Sequence, residues 1–365
     1  MKYECTTDLF SKGVSLASRF VQKQANLPVL NSILVAAEGG AVVLRATNLE
    51  CGIEISIPAK VSEGGVVAVS GATLLGFLSN TRGKNVSASL VGGVLKLQTE
   101  RASASIKTVP HEDFPTLPRV SAERSFSIKA VDLARAMRSV SHCAATSTVK
   151  PELQSVLLFA DVGKLSAAAT DSFRLAEKSV PLRSRGGVPN MLVPARNASE
   201  LVRILEGAQG DVEVYYNDNQ ISVQVDQVYY TSRLLDGSFP NYHQIVPKEF
   251  LTEAVVLRED LSAALKGLTV FSDKFLQVTL AVDPKRKVVT LSSRNADVGE
   301  EECTLNAAVS GDEVAMNFNS RYMGDGLLPI SGESVRLQLS GPGKPMLIKD
   351  AADDSFFYLA MPMNR

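Results

Sequence analysis

Apolar residues at helical spacing follow an Asp-Leu pair at three points along the chain. The pairs begin at Asp8, Asp132 and Asp260. Leu133, Met137 and Val140 illustrate the spacing, which predicts an amphipathic helix after each pair. An acidic residue in the first turn also suits the positive end of the helix dipole. In the first copy the pattern predicts a buried stripe made of Leu9, Leu16, Phe20 and Val21.

A second helix in each copy follows a short apolar strand. These strands end at Val69, Val193 and Phe318, with offsets of 124 and 125 residues. Each strand runs into a residue that caps or opens a helix, namely Ser70, Pro194 or Asn319. Ser and Asn accept hydrogen bonds from exposed backbone N–H groups, whereas Pro is tolerated in the first turn.

Strand-turn-strand patterns complete the repeat. Alternating strands reach polar turns at residues 46–50, 169–173 and 293–297, and a further strand leaves each turn. The segment at residues 113–115, Asp-Phe-Pro, returns at 238–240 as Ser-Phe-Pro. The third copy is degenerate here, since it ends in Phe-Phe-Tyr at 356–358 without the proline.

The repeat predicts an α+β fold of three similar domains, each with two helices and about eight short strands. Polar, turn-rich linkers near 119–125 and 247–252 separate the copies. The predicted domains are residues 1–120, 121–249 and 250–365. Each is long enough for its own core, which excludes a solenoid of short repeats.

Composition indicates a globular protein with few histidines and cysteines for metal or thiol chemistry. Of the 365 residues, 45% are hydrophobic and 21% are charged. The 38 Lys and Arg residues nearly cancel the 39 Asp and Glu residues, and the resulting net charge of −1 excludes binding to DNA by overall basicity. The four cysteines, which form no C-x-x-C pair, are Cys5, Cys51, Cys143 and Cys303. We therefore expect no metal, no cofactor and no redox dithiol. The start lacks an apolar signal region, and the apolar stretch at 27–37 is too short to span a bilayer, so the chain is predicted to be cytoplasmic without membrane contact.

Basic residues recur on corresponding helices. They are Lys12, Arg19, Lys23, Arg82 and Lys84 in the first copy, Arg135, Arg138, Lys150, Arg196 and Arg203 in the second, and the sparser Lys266 and Arg321 in the third. On one helix alone, such residues are more often ordinary solvated surface. Their recurrence in a neutral protein favours a surface that follows DNA phosphates without reading bases.

Catalytic motifs are absent from the sequence. There is no P-loop, H-E-x-x-H, G-x-S-x-G or G-x-G-x-x-G pattern. The S-x-x-K match at 147–150 lacks its companion motifs. His142 beside Cys143 suggests a nucleophile pair, but neighbours on a helix point about 100° apart, so a surface histidine and a buried cysteine are favoured. The chain is predicted not to be an enzyme.

Several ordered motifs together resemble one family, the beta sliding clamps of bacterial DNA polymerase III. The motifs are Leu-Pro-Val-Leu-Asn-Ser-Ile-Leu at 27–34, Ala-Thr-Asn-Leu-Glu at 46–50, Ala-Thr-Asp-Ser-Phe-Arg-Leu-Ala at 169–176, Phe-Pro-Asn-Tyr at 239–242 and Tyr-Leu-Ala-Met-Pro-Met at 358–363. The resemblance covers the whole chain. It implies a head-to-tail homodimer that closes a ring around double-stranded DNA of any sequence, with helices lining the hole and antiparallel sheets outside.

The resemblance also implies a pocket for short partner peptides between the second and third domains. Its partners are the polymerase III catalytic subunit, the clamp loader, and other polymerases and repair proteins that carry a clamp-binding motif. Matched motifs assign to this pocket Leu153, Thr170, Ser172, Phe173, Arg174, Leu175, Pro240, Ile245, Asn319, Tyr322, Leu359, Met361 and Met363. Two Met residues at alternate positions of a C-terminal tail independently favour an adaptable apolar surface, although they could instead complete a domain core.

The dimer interface implied by the resemblance pairs the edge strand from Arg101 to Lys107 with the region of Val270 and Phe271 in the other chain. Core burial of Val270 and Phe271 within their own chain is an equal alternative. Three positions depart from the family pattern: Phe173 replaces a Tyr or His, Gln244 an Arg, and Gln24 a DNA-contacting Arg for which Lys23 can substitute. A protein-interaction scaffold that does not encircle DNA is the main alternative function, and an enzyme with an unrecognised site is a third.

Overall fold

The computed structural model describes residues 1–22, 27–121, 124–183 and 187–363. The chain forms two compact units, one made of Met1–Val131 with Arg203–Leu234 and the other of Asp132–Val202 with Leu235–Arg365. Within the described ranges, no helix is long and apolar enough to cross a membrane.

Six α-helices occur in the described chain, two in each predicted copy. They are α1 (Thr7–Ala17), α2 (Gly71–Ser79), α3 (Ala130–Ser141), α4 (Ala195–Glu206), α5 (Arg258–Leu268) and α6 (Ser320–Leu327). Both predicted kinds of helix are thus confirmed. The capping residues act as expected, because Ser70 accepts a hydrogen bond from the Thr73 N–H at 3.3 Å and Asn319 accepts one from the Tyr322 N–H at 3.1 Å.

The described strands number eight, eight and nine in the three copies. In the first they are β1 to β8, at Lys2–Thr6, Ser32–Glu38, Ala41–Thr47, Cys51–Glu63, Gly65–Ser70, Asn85–Val91, Val94–Gln98 and Ser103–Val109. In the second they are β9 to β16, at Ser125–Lys129, Ser155–Asp161, Lys164–Thr170, Arg174–Pro181, Met191–Pro194, Asp211–Tyr216, Gln220–Val225 and Val228–Arg233. In the third they are β17 to β25, at Thr252–Leu257, Gln277–Asp283, Val288–Asn295, Gly299–Asn306, Ala308–Gly311, Val314–Asn319, Ser334–Leu339, Met346–Asp350 and Phe356–Ala360.

Antiparallel sheets connect strands of successive copies. The first unit holds one twelve-stranded sheet in the order β1-β6-β7-β8-β5-β2-β3-β4-β16-β15-β14-β9, which is closed on itself by a further β1–β4 pairing. The second unit holds sheets in the orders β13-β10-β11-β12-β25-β24-β23-β17-β21 and β20-β19-β18-β22. The β4–β16 pair joins the first copy to the second, and the β12–β25 pair joins the second to the third.

The turn before β4 and the turn before β12 are built in the same way; we call residues 47–51 the first turn and residues 170–174 the second turn. In the first turn the Thr47 hydroxyl donates to the Cys51 carbonyl at 2.9 Å and accepts from the Leu49 N–H at 3.0 Å. Corresponding bonds occur at 2.7 and 3.1 Å in the second turn. Leu49 and Ser172 occupy the same position with φ of 74° and 78°, so the sequence repeat is an exact structural repeat here.

The buried face of α1 differs from the predicted one. Phe10, Val14 and Ala17 of the helix are fully buried, and so is Phe20 just beyond it. Of the other residues in the predicted stripe, Leu16 and Val21 are partly buried, whereas Leu9 is 46% exposed and the prediction is wrong there. The cause is Gly13, where an added Cβ would lie 2.8 Å from Ile57 and 3.1 Å from Leu44. This glycine allows close approach to β3 and β4 and thereby fixes the rotation of the helix. In α3, by contrast, Leu133, Met137 and Val140 are all buried as predicted.

We predict that Phe10→Ala lowers the free energy of unfolding by about 3–5 kcal/mol, because it removes a fully buried ring and leaves a cavity. The neighbouring Leu9→Ala is the matched control and should change it by less than about 0.5 kcal/mol. Urea unfolding of the full chain measures both. A larger loss in the free energy of unfolding for Leu9→Ala than for Phe10→Ala would support the buried face predicted from the sequence.

Candidate peptide site and basic helix faces

The second turn and the C-terminal tail form one backbone frame in the second unit. Strand β12 pairs with β25 so that Arg174 lies opposite Ala360 and Leu175 opposite Leu359. Beyond the pairing, the Met361 N–H donates to the Phe173 carbonyl at 2.9 Å. The predicted pocket residues of the second and third copies are thus brought together by a sheet that both copies build.

The tail then reaches the start of α6. The Met363 N–H donates to the Asn317 carbonyl at 2.8 Å, at the end of β22. Asn319, two residues on, caps α6 through its side-chain oxygen and donates through Nδ2 to the Phe275 carbonyl at 3.0 Å. The cap orients the first turn of the helix, which carries Tyr322.

Arg174 is held by two carboxylates at the centre of this arrangement. Its Nε donates to Asp171 at 2.9 Å and its Nη1 to Asp325 of α6 at 2.5 Å. The guanidinium also lies over the Tyr322 ring, 4.5 Å from its centroid. The side chain is only 13% exposed. Because both carboxylates are engaged, the positive charge of Arg174 is neutralised within the chain and is poorly placed to attract an acidic ligand.

Tyr242 anchors the segment that carries Pro240 and Ile245. It belongs to a buried cluster with Leu175 and Leu359, and its hydroxyl donates to Glu177 Oε2 at 2.7 Å. Burial, and then the negative Glu177, raise the pKa of the Tyr242 phenol. The tyrosine therefore remains neutral and fixes the loop on the sheet.

Exposure separates the predicted pocket residues into two groups. Those with accessible side chains are Ser172, Phe173, Pro240, Ile245 and Met361, and the partly exposed ones are Arg174, Asn319, Tyr322 and Met363. The buried ones are Leu153, Thr170, Leu175 and Leu359. Phe173 is 61% and Ile245 53% exposed, which is unusual for large apolar side chains and provides an apolar surface that a ligand can cover. Of the buried group, Leu175 and Leu359 belong to the same core cluster as Tyr242.

His142 is only partly exposed. Its ring stacks on Tyr358 at a centroid distance of 6.0 Å, and its Nε2 is buried with no hydrogen-bond partner in the described structure. Burial, and then the positive charge of Arg174, lower the pKa of His142 to about 4. The histidine that was predicted to lie on the surface is only partly exposed, whereas Cys143 is buried as expected. Burial raises the pKa of the Cys143 thiol, so the pair offers no nucleophile.

The predicted DNA-facing residues are exposed wherever the structure describes them. In the first unit they are Lys12, Arg19, Arg82, Lys84 and Arg203, and in the second Arg135, Arg138, Lys150 and Arg196. Lys23 and Gln24 lie outside the described residues. Two of the cations pair with first-turn acids of their own helices, Lys12 with Asp8 at 2.8 Å and Arg135 with Asp132 at 3.6 Å. Such exposed pairs are weak and exchange readily with phosphate.

Of the residues predicted at the dimer interface, Lys107 lies on β8, Arg101 lies just before this strand, and Val270 and Phe271 lie in the short 3-10 helix Thr269–Phe271 after α5. Within the described part of the chain, residues 103–107 of β8 pair with β7 alone, while β5 pairs with β8 at 108 and 109. Strand β20 is the end strand of its sheet and carries Glu300, Glu301 and Glu302. Near it Val270 is 68% exposed and Phe271 partly exposed, so neither is core in the single chain.

Metal-binding and redox clusters are not found among the described residues. No group of three His, Cys, Asp or Glu side chains could hold an ion in these ranges. All four cysteines are free, and burial, followed by Glu4, raises the pKa of the Cys5 thiol to about 12.

We predict that His142→Phe flattens the pH dependence of stability. Between pH 6.5 and 4 the unfolded imidazole binds a proton and the buried one does not, so the wild-type protein loses stability as the pH falls through this window. The lowering of the His142 pKa corresponds to a loss of about 3 kcal/mol in the free energy of unfolding. Phenylalanine retains a ring against Tyr358 but cannot titrate, so urea unfolding at pH 7 and pH 4 should show a correspondingly smaller loss. Parallel losses in both proteins would contradict the burial of a neutral imidazole.

Three family models for the DNA polymerase III beta subunit match the chain: its N-terminal domain at residues 1–118, its central domain at 127–241 and its C-terminal domain at 243–364. The chain is 28% identical over 373 residues to a beta sliding clamp of Synechococcus elongatus and 25% over 374 residues to one of Staphylococcus aureus, covering 100% of this chain and 99% of each relative. A Pseudomonas aeruginosa sliding clamp bound to griselimycin superposes with a TM-score of 0.94 at 26% identity, and a Thermotoga maritima beta subunit with 0.95 at 23%, over at least 99% of each chain. The chain therefore belongs to the DNA polymerase III beta subunit family, the bacterial beta sliding clamps, and consists of three clamp domains.

Proposed function

We propose that this protein is a DNA sliding clamp: a homodimeric ring that encircles duplex DNA and tethers the replicative polymerase. The observation that carries the proposal is the match to all three domains of the family along the whole chain. We assign the domains to residues 1–120, 121–249 and 250–365. The family is a non-enzymatic processivity factor, which agrees with the absence of catalytic motifs from the sequence.

Contact with DNA depends on the exposed basic residues of the helices and on no sequence-specific reading. The net charge of −1 fits retention by topology, because a ring that is held by enclosure needs only weak phosphate contacts and can slide. A protein held by charge alone would need a strongly basic surface. We place this activity in the cytoplasm, where a bacterial chromosome is replicated.

Ring closure joins the open edge of β8 in one protomer to β20 of its partner. Unpaired strand edges are ready templates for pairing with another chain. The charges of the two edges are complementary, since Arg101 and Lys107 flank the first and residues 300–302 of the second are all Glu. Val270 supplies an exposed apolar contact beside β20. A head-to-tail contact of this kind closes into a ring when the rotation between protomers is correct.

Partner peptides bind the apolar surface beside the second turn. Phe173, Ile245 and Met361 are its exposed apolar side chains, and Met adapts to different partners through its flexible thioether chain. The griselimycin-bound clamp from Pseudomonas aeruginosa supports a ligand site in this family. We expect the polymerase III catalytic subunit, the clamp loader and other polymerases and repair proteins to compete for this surface.

We predict that Met361→Ala combined with Met363→Ala weakens a labelled peptide of the Gln-Leu-x-Leu-Phe type by about tenfold or more, because apolar contact area is lost. Fluorescence anisotropy with an alanine-scrambled peptide as control measures the effect. The ring should survive, as judged by the mass of the dimer in solution. Unchanged affinity for the peptide in a correctly folded double variant would show that residues 361–363 are not part of the peptide site.

We predict that Arg19→Glu combined with Arg138→Glu lowers the retention of the loaded clamp on circular DNA and leaves peptide binding unchanged. Both charges are reversed on helix faces that we assign to DNA, so the loss should be greatest at low salt. Retention is measured after loading by the clamp loader, and linearised DNA serves as the control from which a ring slides off. Equal retention on circular and linear DNA would favour a protein-interaction scaffold without encirclement.

A further inference from the structure

A cleft of about 410 Å³ lies beside the first turn, within the first unit. It is lined by the turn and Gly52, by the segment 115–118, and by residues of β15 and β16. The proposed function does not use this cleft. Its size lies within the range of sites that bind small ligands or single side chains of a peptide.

The backbone around the cleft repeats the frame of the peptide site. Strand β16 crosses the first turn as β25 crosses the second. The Arg233 N–H donates to the Glu50 carbonyl at 2.8 Å, and the corresponding bond in the second unit runs from the Met361 N–H to the Phe173 carbonyl at 2.9 Å. The register of β4 on β16 likewise matches that of β12 on β25. The two places are the same piece of architecture with different side chains.

Smaller side chains leave space at the first turn. Where the second unit fills its core with Leu175 and Tyr242, the corresponding positions here hold Gly52 and Leu117. A Cβ on Gly52 would lie 2.4 Å from Leu117, so the leucine packs directly over the glycine. Leu117 is smaller than Tyr242, and Gly52 lacks the side chain of Leu175, so less side-chain volume occupies this place.

The mouth of the cleft combines an apolar wall with two opposite charges. Leu49, 51% exposed, and Pro115 form part of the wall. Glu50 and Arg233 stand where the peptide site carries Phe173 and Met361. A ligand with purely apolar flanks would leave both charges desolvated and unpaired, whereas one with flanking charges of opposite sign would match them.

We propose that the cleft beside the first turn is a second peptide-binding site with its own specificity. It takes an extended segment of a partner protein whose aliphatic side chain enters the cleft and whose flanking basic and acidic residues meet Glu50 and Arg233. The comparison with the second turn rests on the proposed function. The cavity and the charges do not.

The test uses methyl NMR of the full-length protein with the probe acetyl-Lys-Ala-Leu-Ala-Asp-amide. We expect saturable shifts of the Leu49 and Leu117 methyl groups at millimolar peptide. A control peptide with alanine in place of both charged residues should bind at least about threefold more weakly, since it cannot pair with the mouth. Absence of saturable shifts at these two leucines, or shifts confined to the surface beside the second turn, would overturn the proposal.

Variants that retain the fold sharpen the test. Leu49→Asn suits the positive φ of this position and removes the apolar wall, and Arg233→Glu reverses an exposed charge, so each should weaken the probe by about fivefold or more. The matched control is Ser172→Asn, at the equivalent φ of the second turn, which should leave the probe unaffected. Equal binding by Leu49→Asn and the wild type would overturn the site.

The Gln-Leu-x-Leu-Phe peptide, titrated into the same samples, reports on the second turn alone, so failure of this site and failure of the proposed function are distinguishable.

Discussion

Antiparallel pairing between strands of successive copies is the interaction on which this structure depends. Each copy leaves a strand edge that its own strands do not cover, and an open edge is a liability in water. Strand β4 is covered by β16, and β12 by β25. The sheets consequently pass from one domain to the next, which is why the chain forms two compact units rather than three. The remaining open stretch of β8 and the end strand β20 are the edges that we assign to the partner protomer.

The same pairing places binding surfaces at the junctions. A crossing strand must end beside the turn that it covers, so its tail and the turn residues converge. At the second turn this convergence exposes Phe173 and Met361, and at the first it exposes Glu50 and Arg233. The backbone is common to both places, and the side chains alone decide what each can bind. The partly buried pair of Arg174 with Asp325 then fixes α6 to the second turn and contributes geometry more than affinity.

Much of the fold could be predicted from the sequence, because repeated local signals predict local structure. Helix starts at Asp8, Asp132 and Asp260, and the turn motifs, all depend on residues close in the chain. The rotation of α1 could not be predicted, since it is set by the contact of Gly13 with strands that follow much later. Family motifs predicted the exposed apolar part of the candidate site. The contact between Asp325 and Arg174 could not be predicted, because the two residues lie 151 positions apart and no local pattern connects them. The burial of His142 against Tyr358 was hidden for the same reason.

The position of β4 in the sheet also constrains the order in which its strand pairings can form. It receives β1 along its second half, β3 along most of its length and β16 along its first half, where Cys51 lies opposite Ser232. During synthesis the first domain emerges long before β16 has been translated, so the edge of β4 that pairs with β16 is unpaired while the second domain is being made. Pairings so distant in sequence slow folding and expose incomplete sheets to aggregation. The first domain therefore exposes the unpaired edge of β4 for as long as the second domain is being synthesised.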